Sequence, residues 1–387
     1  MQHLSETDTA MTQEAATASY DDEHEDLRRT VRRVLADKSP EAEVRRLMET
    51  EAGYDESVWE QMAAQLGLQS LIIPERHNGS GFGYIELAIV LEEMGRVLLC
   101  GPYFSTVALA VNLLLVIGDE EANARYLPGI AAGTTIATVA LAESSGRWDV
   151  DGVTLEASIL DSVWRLTGEK LYVLDGTVAD LVLVVARTPA GPSVFAVERG
   201  AEGFTSVALS TMDQTRKQGR LVFVGTPATL VGVEGQGSTA VPMMLDRAAV
   251  ALAAEQVGGA QRVLDMAVDY AKTREQFGRP IGSFQAIKHR CADMLVEVES
   301  ARSTVYYAAQ AAAEGNDELP VLAGLAKAYC SDAYFHGAAA NIQIHGGIGF
   351  TWEHPAHLYL KRAKSSELLF GDADYHRELL ADRLGIA

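Results

Sequence analysis

Two stretches of this 387-residue chain combine an anion-gripping side chain or hydrogen-bonding amides with backbone that can approach a ligand closely. The first runs from Tyr270 to Gln285. Arg274 stands in the last turn of a long amphipathic helix, a Gly-Arg-Pro-Ile turn follows, and Ser283 is a candidate N-cap for the next helix. A guanidinium there complements the helix dipole, or clamps a phosphate bidentately as a dinucleotide requires. The second runs from Gln343 to Pro355. Gly346, Gly347 and Gly349 permit positive φ or close approach, so their N–H groups can face a pyrophosphate or an adenine edge. No Gly-Lys-Ser/Thr follows, which excludes a Walker loop. The stretch follows a helix and not a strand, which excludes a Rossmann fingerprint.

Other residues with chemical capacity carry plainer readings. His336, His345, His354 and His357 cluster, but Pro355 breaks their helical spacing, so no metal is expected. Arg216 in Asp213-Gln-Thr-Arg216 either meets a phosphate or ends a strand. Lys217, Arg220 and Lys361 read as surface cations, and Trp148, Trp164 and Trp352 as packing residues. Cys100, Cys291 and Cys330 are widely spaced and form no CxxC pair, which fits buried thiols in a reducing compartment.

These stretches need a scaffold, and the composition supplies one. The chain is 48% hydrophobic and 22% charged, enough for a sizeable core. Its net charge of −21 argues against nucleic acid or an anionic membrane as partner. The acidic, polar N-terminus is no signal peptide, and Val107 to Gly118 is too short to span a bilayer, so it reads as a buried helix and the protein as cytoplasmic. Residues 1–20 lack a sustained apolar period and are expected to be a disordered tail. Residues 21–133 show helical periodicity, with Leu27, Val31, Val34 and Leu35 as its first stripe. Residues 134–236 alternate in β-branched runs such as Ile136–Leu141, Leu181–Val185 and Val194–Val197. Residues 237–387 return to long helices whose alanine-rich faces permit the close packing of a four-helix bundle.

Taken together, the two stretches resemble the acyl-CoA dehydrogenase family. R-x-Q-F-G-x-P-I-x-x-F-Q stands at Arg274 to Gln285, and Q-I-H-G-G-x-G-F-T at Gln343 to Thr351. The resemblance covers residues 21–387 in domain order. It implies an α+β multi-domain fold: a helical N-terminal domain, a middle β-barrel domain and a C-terminal four-helix bundle. It implies FAD, with its adenosine and pyrophosphate half bound across a subunit interface. Carried over, Arg274 contacts the pyrophosphate, Phe277 packs on the flavin or ribityl side, and Gln285, Gln343, Gly346 and Gly347 meet the adenine end. Gly349 belongs to the same cofactor-binding set. The implied reaction is α,β-dehydrogenation of an acyl-CoA thioester. A carboxylate takes the α-proton while the β-hydrogen leaves as hydride to the flavin, and hydrogen bonds polarise the thioester carbonyl. An electron-transfer flavoprotein is the implied electron acceptor.

The chain departs from that pattern where chemistry is concentrated. The family's usual base is a Glu in an E-G-T or E-G-S segment, and that position falls on Phe370. The less common position, on the first bundle helix, falls on Ala248, and the Arg that often follows it is Ala249. Asp246 lies about 200° around the helix from Ala248 and points elsewhere. Asp372 and Asp374, just past Phe370, and Glu367, three residues before it, remain as candidate bases, each with a solvated or salt-bridged side chain as the plain alternative. The family's T-E-P-x-A-G-S-D segment appears as Ala142 to Asp149, keeping Glu143 but losing the small residues, and W-I-T/S-N appears as Leu171 to Asp175. The resemblance therefore points to a non-catalytic subunit of an α2β2 heterotetramer, as in actinobacterial members acting on steroid-derived CoA esters. The alternatives are a self-sufficient homo-oligomer using Asp372 or Asp374, and a flavin-free scaffold.

Overall fold

A computed structural model describes residues 22–386. The expected tail, residues 1–20, lies outside the described residues.

Among the described residues the N-terminal layer holds six α-helices: α1 (Asp22–Lys38), α2 (Glu41–Glu49), α3 (Glu56–Ala64), α4 (Tyr84–Arg96), α5 (Asn112–Ile117) and α6 (Glu120–Ala131). The run Val107 to Gly118, read as one buried helix, is mostly buried, but its start, through Val111, belongs to a π-helix, Phe104–Val111, that feeds into α5. Such a stretch rotates the side chains that precede α5 relative to an α-helical register. Ser105 and Thr106 are thereby turned onto the barrel: Ser105 Oγ donates to Asp175 at 2.6 Å and Thr106 Oγ1 to the Ala137 carbonyl at 3.0 Å.

The middle layer has seven strands: β1 (Ala137–Ala140), β2 (Glu156–Leu160), β3 (Val163–Leu174), β4 (Leu181–Thr188), β5 (Gly191–Glu198), β6 (Phe204–Ala208) and β7 (Gln218–Val231). Neighbours run β4-β2-β3-β7-β5 and back to β4, which closes the sheet into a barrel, with β1 along β4 and β6 along β7. Leu181–Ala186 of β4 and Val194–Val197 of β5 are all buried, alternate residues facing the barrel interior and the packed layers outside it. Between Lys170 and Val173 the β3–β7 register slips. Tyr172 sits in that slip at φ 57° and turns its side chain outward. β2 and β6 escaped the sequence reading because they are short and mostly exposed, so neither presents a clean alternation.

The C-terminal layer contains α7 (Gly237–Thr273), a two-strand ribbon β8 (Glu275–Gln276) and β9 (Arg279–Pro280), then α8 (Gln285–Glu314), α9 (Leu319–His345), α10 (Ala356–Leu368) and α11 (Ala373–Leu384). At 37 residues, α7 is about 55 Å long and packs on α4, α8 and α9. Gly95 of α4 meets the Glu255 carbonyl, and Gly258 of α7 meets the Glu92 carbonyl. A side chain at either position would overlap backbone, so the two glycines set how closely the N-terminal layer sits on the bundle. Ser283 is not an N-cap. The β8–β9 ribbon ends in a 3₁₀ turn over Ile281–Ser283, Phe284 takes the cap position of α8, and Ser283 Oγ finds no partner.

Candidate functional site

Phe370 lies in the turn between α10 and α11 at φ 63°, a left-handed conformation that is strained for a bulky side chain. The turn is held in place from below. The Lys327 ammonium, fully buried on α9, donates to the carbonyls of Glu367 (3.0 Å) and Gly371 (2.8 Å) and to Ser331 Oγ (3.1 Å). Burial pulls its pKa down to about 7. His376 Nε2 lies 3.1 Å from the Phe370 carbonyl oxygen, and burial lowers this imidazole's pKa to about 4. The ring that this turn presents is buried. It stacks on Phe104 with centroids 6.1 Å apart and meets Trp148 edge-on at 5.2 Å.

Behind the three rings lies a buried ionic network. Arg216 stands over the Phe104 ring at 5.4 Å and pairs with Glu255. Arg362 pairs with Glu255 at 2.7 Å and Asp213 at 2.9 Å, and donates to Thr215 Oγ1 and to its carbonyl. Burial works against the Arg362 charge, but Asp213 and Glu255 outweigh it and raise its pKa. Asp175 completes the floor. Burial lifts its carboxyl to about 6, while the Ser105 hydrogen bond and the two arginines pull the other way. The void among Phe104, Arg216, Glu255 and Arg362 measures ≈ 20 Å³, room for about one water.

In front of the rings, between the barrel and α10, is a cleft of ≈ 460 Å³ walled by Trp148, Tyr172, Met212, Leu368 and Leu369. The segments read as altered flavin platform converge here. Within the Ala142–Asp149 loop, the Gly146 N–H donates to the Glu143 carbonyl at 2.9 Å and Arg147 pairs with Asp149. Glu143 is a structural clasp. It pairs with buried Lys170 at 2.7 Å and accepts from the N–H groups of Thr154 and Leu155.

The candidate bases are engaged elsewhere. Ala248 and Ala249 are buried and apolar. Asp246 accepts from Arg383 at 2.8 Å. Asp372 caps α11 by accepting from the Tyr375 N–H at 2.8 Å. Asp374 is solvent-facing and paired with Arg377 at 2.7 Å, and Glu367 is paired with Lys364 at 2.8 Å. Arg216, open to two readings in the sequence, is neither a strand end nor a surface phosphate ligand; its guanidinium is buried in the network. Lys217 reaches the Met48 carbonyl, so it is not a plain surface cation.

The two glycine- and arginine-bearing stretches face outward. Arg274 follows directly on α7 as its C-cap residue and is exposed. Phe277 is 90% exposed at φ 55°. Gln285 and Gln343 are exposed as well. The stretches are joined where Tyr270 of α7 stacks on His345 at 4.2 Å. A Cβ added to Gly346 or Gly347 meets nothing within 4 Å, so both present open backbone, whereas Gly349 is tucked against the His345 side chain. Phe350 beside them is 79% exposed. An exposed guanidinium, two open glycines and exposed aromatics suit the adenosine and pyrophosphate half of a dinucleotide cofactor, presented at the surface. Among the described residues no group of three metal-ligating side chains converges, although His345 and His354 lie 4.3 Å apart.

Sequence reasoning missed Phe104, Glu255 and Lys327. Only Lys327 left a signal, a lone cation inside the apolar run of α9.

Residues 21–134 match the family described as "Acyl-CoA dehydrogenase, N-terminal domain", and residues 235–385 match "Acyl-CoA dehydrogenase, C-terminal domain". Acyl-CoA dehydrogenase IpdE2 of Mycobacterium tuberculosis is 37% identical over 90% of this chain and 93% of its own length. A chain of the ChsE4–ChsE5 complex from the same organism is 30% identical, covers 96% of this chain and 99% of its own, and superposes with a TM-score of 0.87. The Tcur3481–Tcur3483 steroid ACAD, as its G363A variant, is 31% identical over 94% of this chain and 98% of its own, with a TM-score of 0.84.

Proposed function

The chain belongs to the acyl-CoA dehydrogenase family, FAD-dependent oxidoreductases acting on acyl-CoA, and we propose that it is the non-catalytic subunit of a hetero-oligomeric member. When bound, FAD supplies the hydride acceptor for α,β-dehydrogenation. This chain's residues serve that chemistry in a neighbouring subunit. The Arg274 guanidinium grips the pyrophosphate. Gly346 and Gly347 bring backbone against the adenine end beside Gln285 and Gln343, and Phe277 packs toward the ribityl side.

The observation that carries the reading is the filled centre. At the position of the usual base, Phe370 is locked between Phe104 and Trp148, and the void behind it is ≈ 20 Å³. Among the described residues, the carboxylate that lines the open cleft, Asp213, is spent on Arg362 at 2.9 Å, and the void behind the rings has no room for an acyl chain. Asp372 and Asp374, which a self-sufficient enzyme would need, are a helix cap and a solvent-facing ion pair. A flavin-free scaffold would have no use for two open glycines beside an exposed arginine.

Two relatives of similar fold are two-component assemblies by name, ChsE4–ChsE5 and Tcur3481–Tcur3483, and the second is a steroid ACAD. By extension, the assembly contains two copies of this chain and two of a base-bearing family member. Its substrate is a steroid-derived CoA ester, and an electron-transfer flavoprotein accepts its electrons. No helix among the described residues is long and apolar enough to cross a membrane; the assembly is proposed to be cytoplasmic.

The test is co-expression with a family member that carries the Glu, followed by native mass measurement and a turnover assay. An active two-plus-two complex, with no activity from this chain alone, is the expected result. Full activity from a homotetramer of this chain would overturn the reading.

A further inference from the structure

A second cavity, of ≈ 390 Å³, opens at the junction of α1, α2, α4, α7 and the start of α10. It lies outside the cleft described above and shares no lining residue with it. We propose that it is a binding site for an organic monocarboxylate with a compact apolar body. Its volume falls within the usual range for small-molecule sites.

Three arginines line it, in a chain whose overall charge repels anions. Two of them are committed. Arg32 is doubly hydrogen-bonded to Glu93 at 2.8 and 2.7 Å, and Arg96 pairs with Asp265 at 2.6 Å. The lining carboxylate, Glu41, is held by Arg45 at 2.8 Å. Arg262 is different. It is half-buried on α7, and no carboxylate lies within ion-pair distance of it among the described residues. Its guanidinium lies beside the Tyr359 hydroxyl, whose own proton is spent on the Arg96 carbonyl at 2.8 Å. A guanidinium carries five donors. Most of those on Arg262 therefore remain for an acceptor in the cavity, in a setting where charge-assisted bonds are strong.

The rest of the wall sets the ligand's shape and charge. Val44, Leu98, Met266 and Leu358 are buried apolar residues that face it. One uncommitted cation balances one negative charge, so a carboxylate satisfies the site. A phosphate dianion would demand a second cation, and Arg32 and Arg96 would have to leave their partners to supply it. An apolar body then covers the aliphatic wall and gains by burial.

The experiment is calorimetric titration of the purified native assembly with cyclohexanecarboxylate, with cyclohexylmethanol and inorganic phosphate as comparison probes. Expected is saturable binding at one carboxylate per copy of this chain. It should be at least tenfold weaker for the neutral alcohol and for Arg262→Met, the loss typical of one charge-assisted bond, and inorganic phosphate should not compete. Ala36→Trp, an exposed position on the rim, keeps Arg262 and the core intact and should abolish binding by filling the mouth. The proposal falls if no saturable binding occurs, if phosphate binds as tightly, or if Arg262→Met or Ala36→Trp binds like the wild type.

Discussion

Replacing Phe370 by Glu restores the residue type that the family uses as base, and here it should give a weaker protein and no enzyme. Phe370 is 5% exposed and packed on two aromatic rings. Removing such a side chain costs about 3–5 kcal/mol. The new carboxyl would sit between Phe104 and Trp148, and the guanidinium across Phe104, Arg216, is already bound to Glu255. It is therefore held protonated by burial, useless as a base at neutral pH. A loss of about 4 kcal/mol lowers the folded-to-unfolded ratio by about a thousandfold. Denaturant midpoints of the assembled complex measure that loss, with Phe370→Leu as a near-isosteric control expected to lose about 1.5 kcal/mol. Turnover is read with an acyl-CoA and an artificial electron acceptor. A Phe370→Glu complex that loses under about 1 kcal/mol would refute the packing argument. Activity above the wild-type complex would refute the claim that this centre is closed.

Further perturbations probe the parts separately. Arg274→Ala should weaken FAD retention by about tenfold to a hundredfold, the worth of a charge-assisted contact, read as flavin lost on ultrafiltration of the complex; unchanged retention would remove Arg274 from the cofactor site. Lys327→Met leaves the carbonyls of Glu367 and Gly371 unpaired and should cost about 2 kcal/mol, with proteolytic sensitivity rising at the 367–371 turn before anywhere else. His376 has a folded pKa near 4 against 6.5 unfolded, so the unfolded chain binds the extra proton between those values. The wild type should therefore lose up to about 3 kcal/mol as pH falls from 6.5 toward 4. His376→Gln should lack that part of the acid dependence, as urea midpoints taken across the range would report.

Much of this molecule is visible in its residues. The helical–β–helical order follows from hydrophobic period, because the inner strands β4 and β5 and the stripe of α7 are buried on schedule. The apolar residues at the two usual base positions are equally legible, since Phe370 and Ala248 can be located by counting from recognisable neighbours. What packs around Phe370 is not. Phe104, Arg216, Glu255 and Arg362 come from four separate parts of the chain, and only the closed barrel and the glycine contact between α4 and α7 bring them together. A buried Glu on a helix reads in sequence like any solvated charge. The π-helix is hidden for a related reason: apart from Ser105 and Thr106 its sequence is apolar, so no clear period marks the change in winding. Ser283 shows the reverse error, a good capping residue displaced because the β8–β9 ribbon takes up the turn before α8 can start.

The central claim is that this chain completes a neighbour's flavin site and holds none of its own. Flavin per chain, from absorbance near about 450 nm together with protein mass, tests it most directly. The chain alone should be colourless. The complex with a base-bearing partner should carry about half a flavin per polypeptide, one for each heterodimer. A yellow homotetramer of this chain holding about one FAD per polypeptide would contradict the claim.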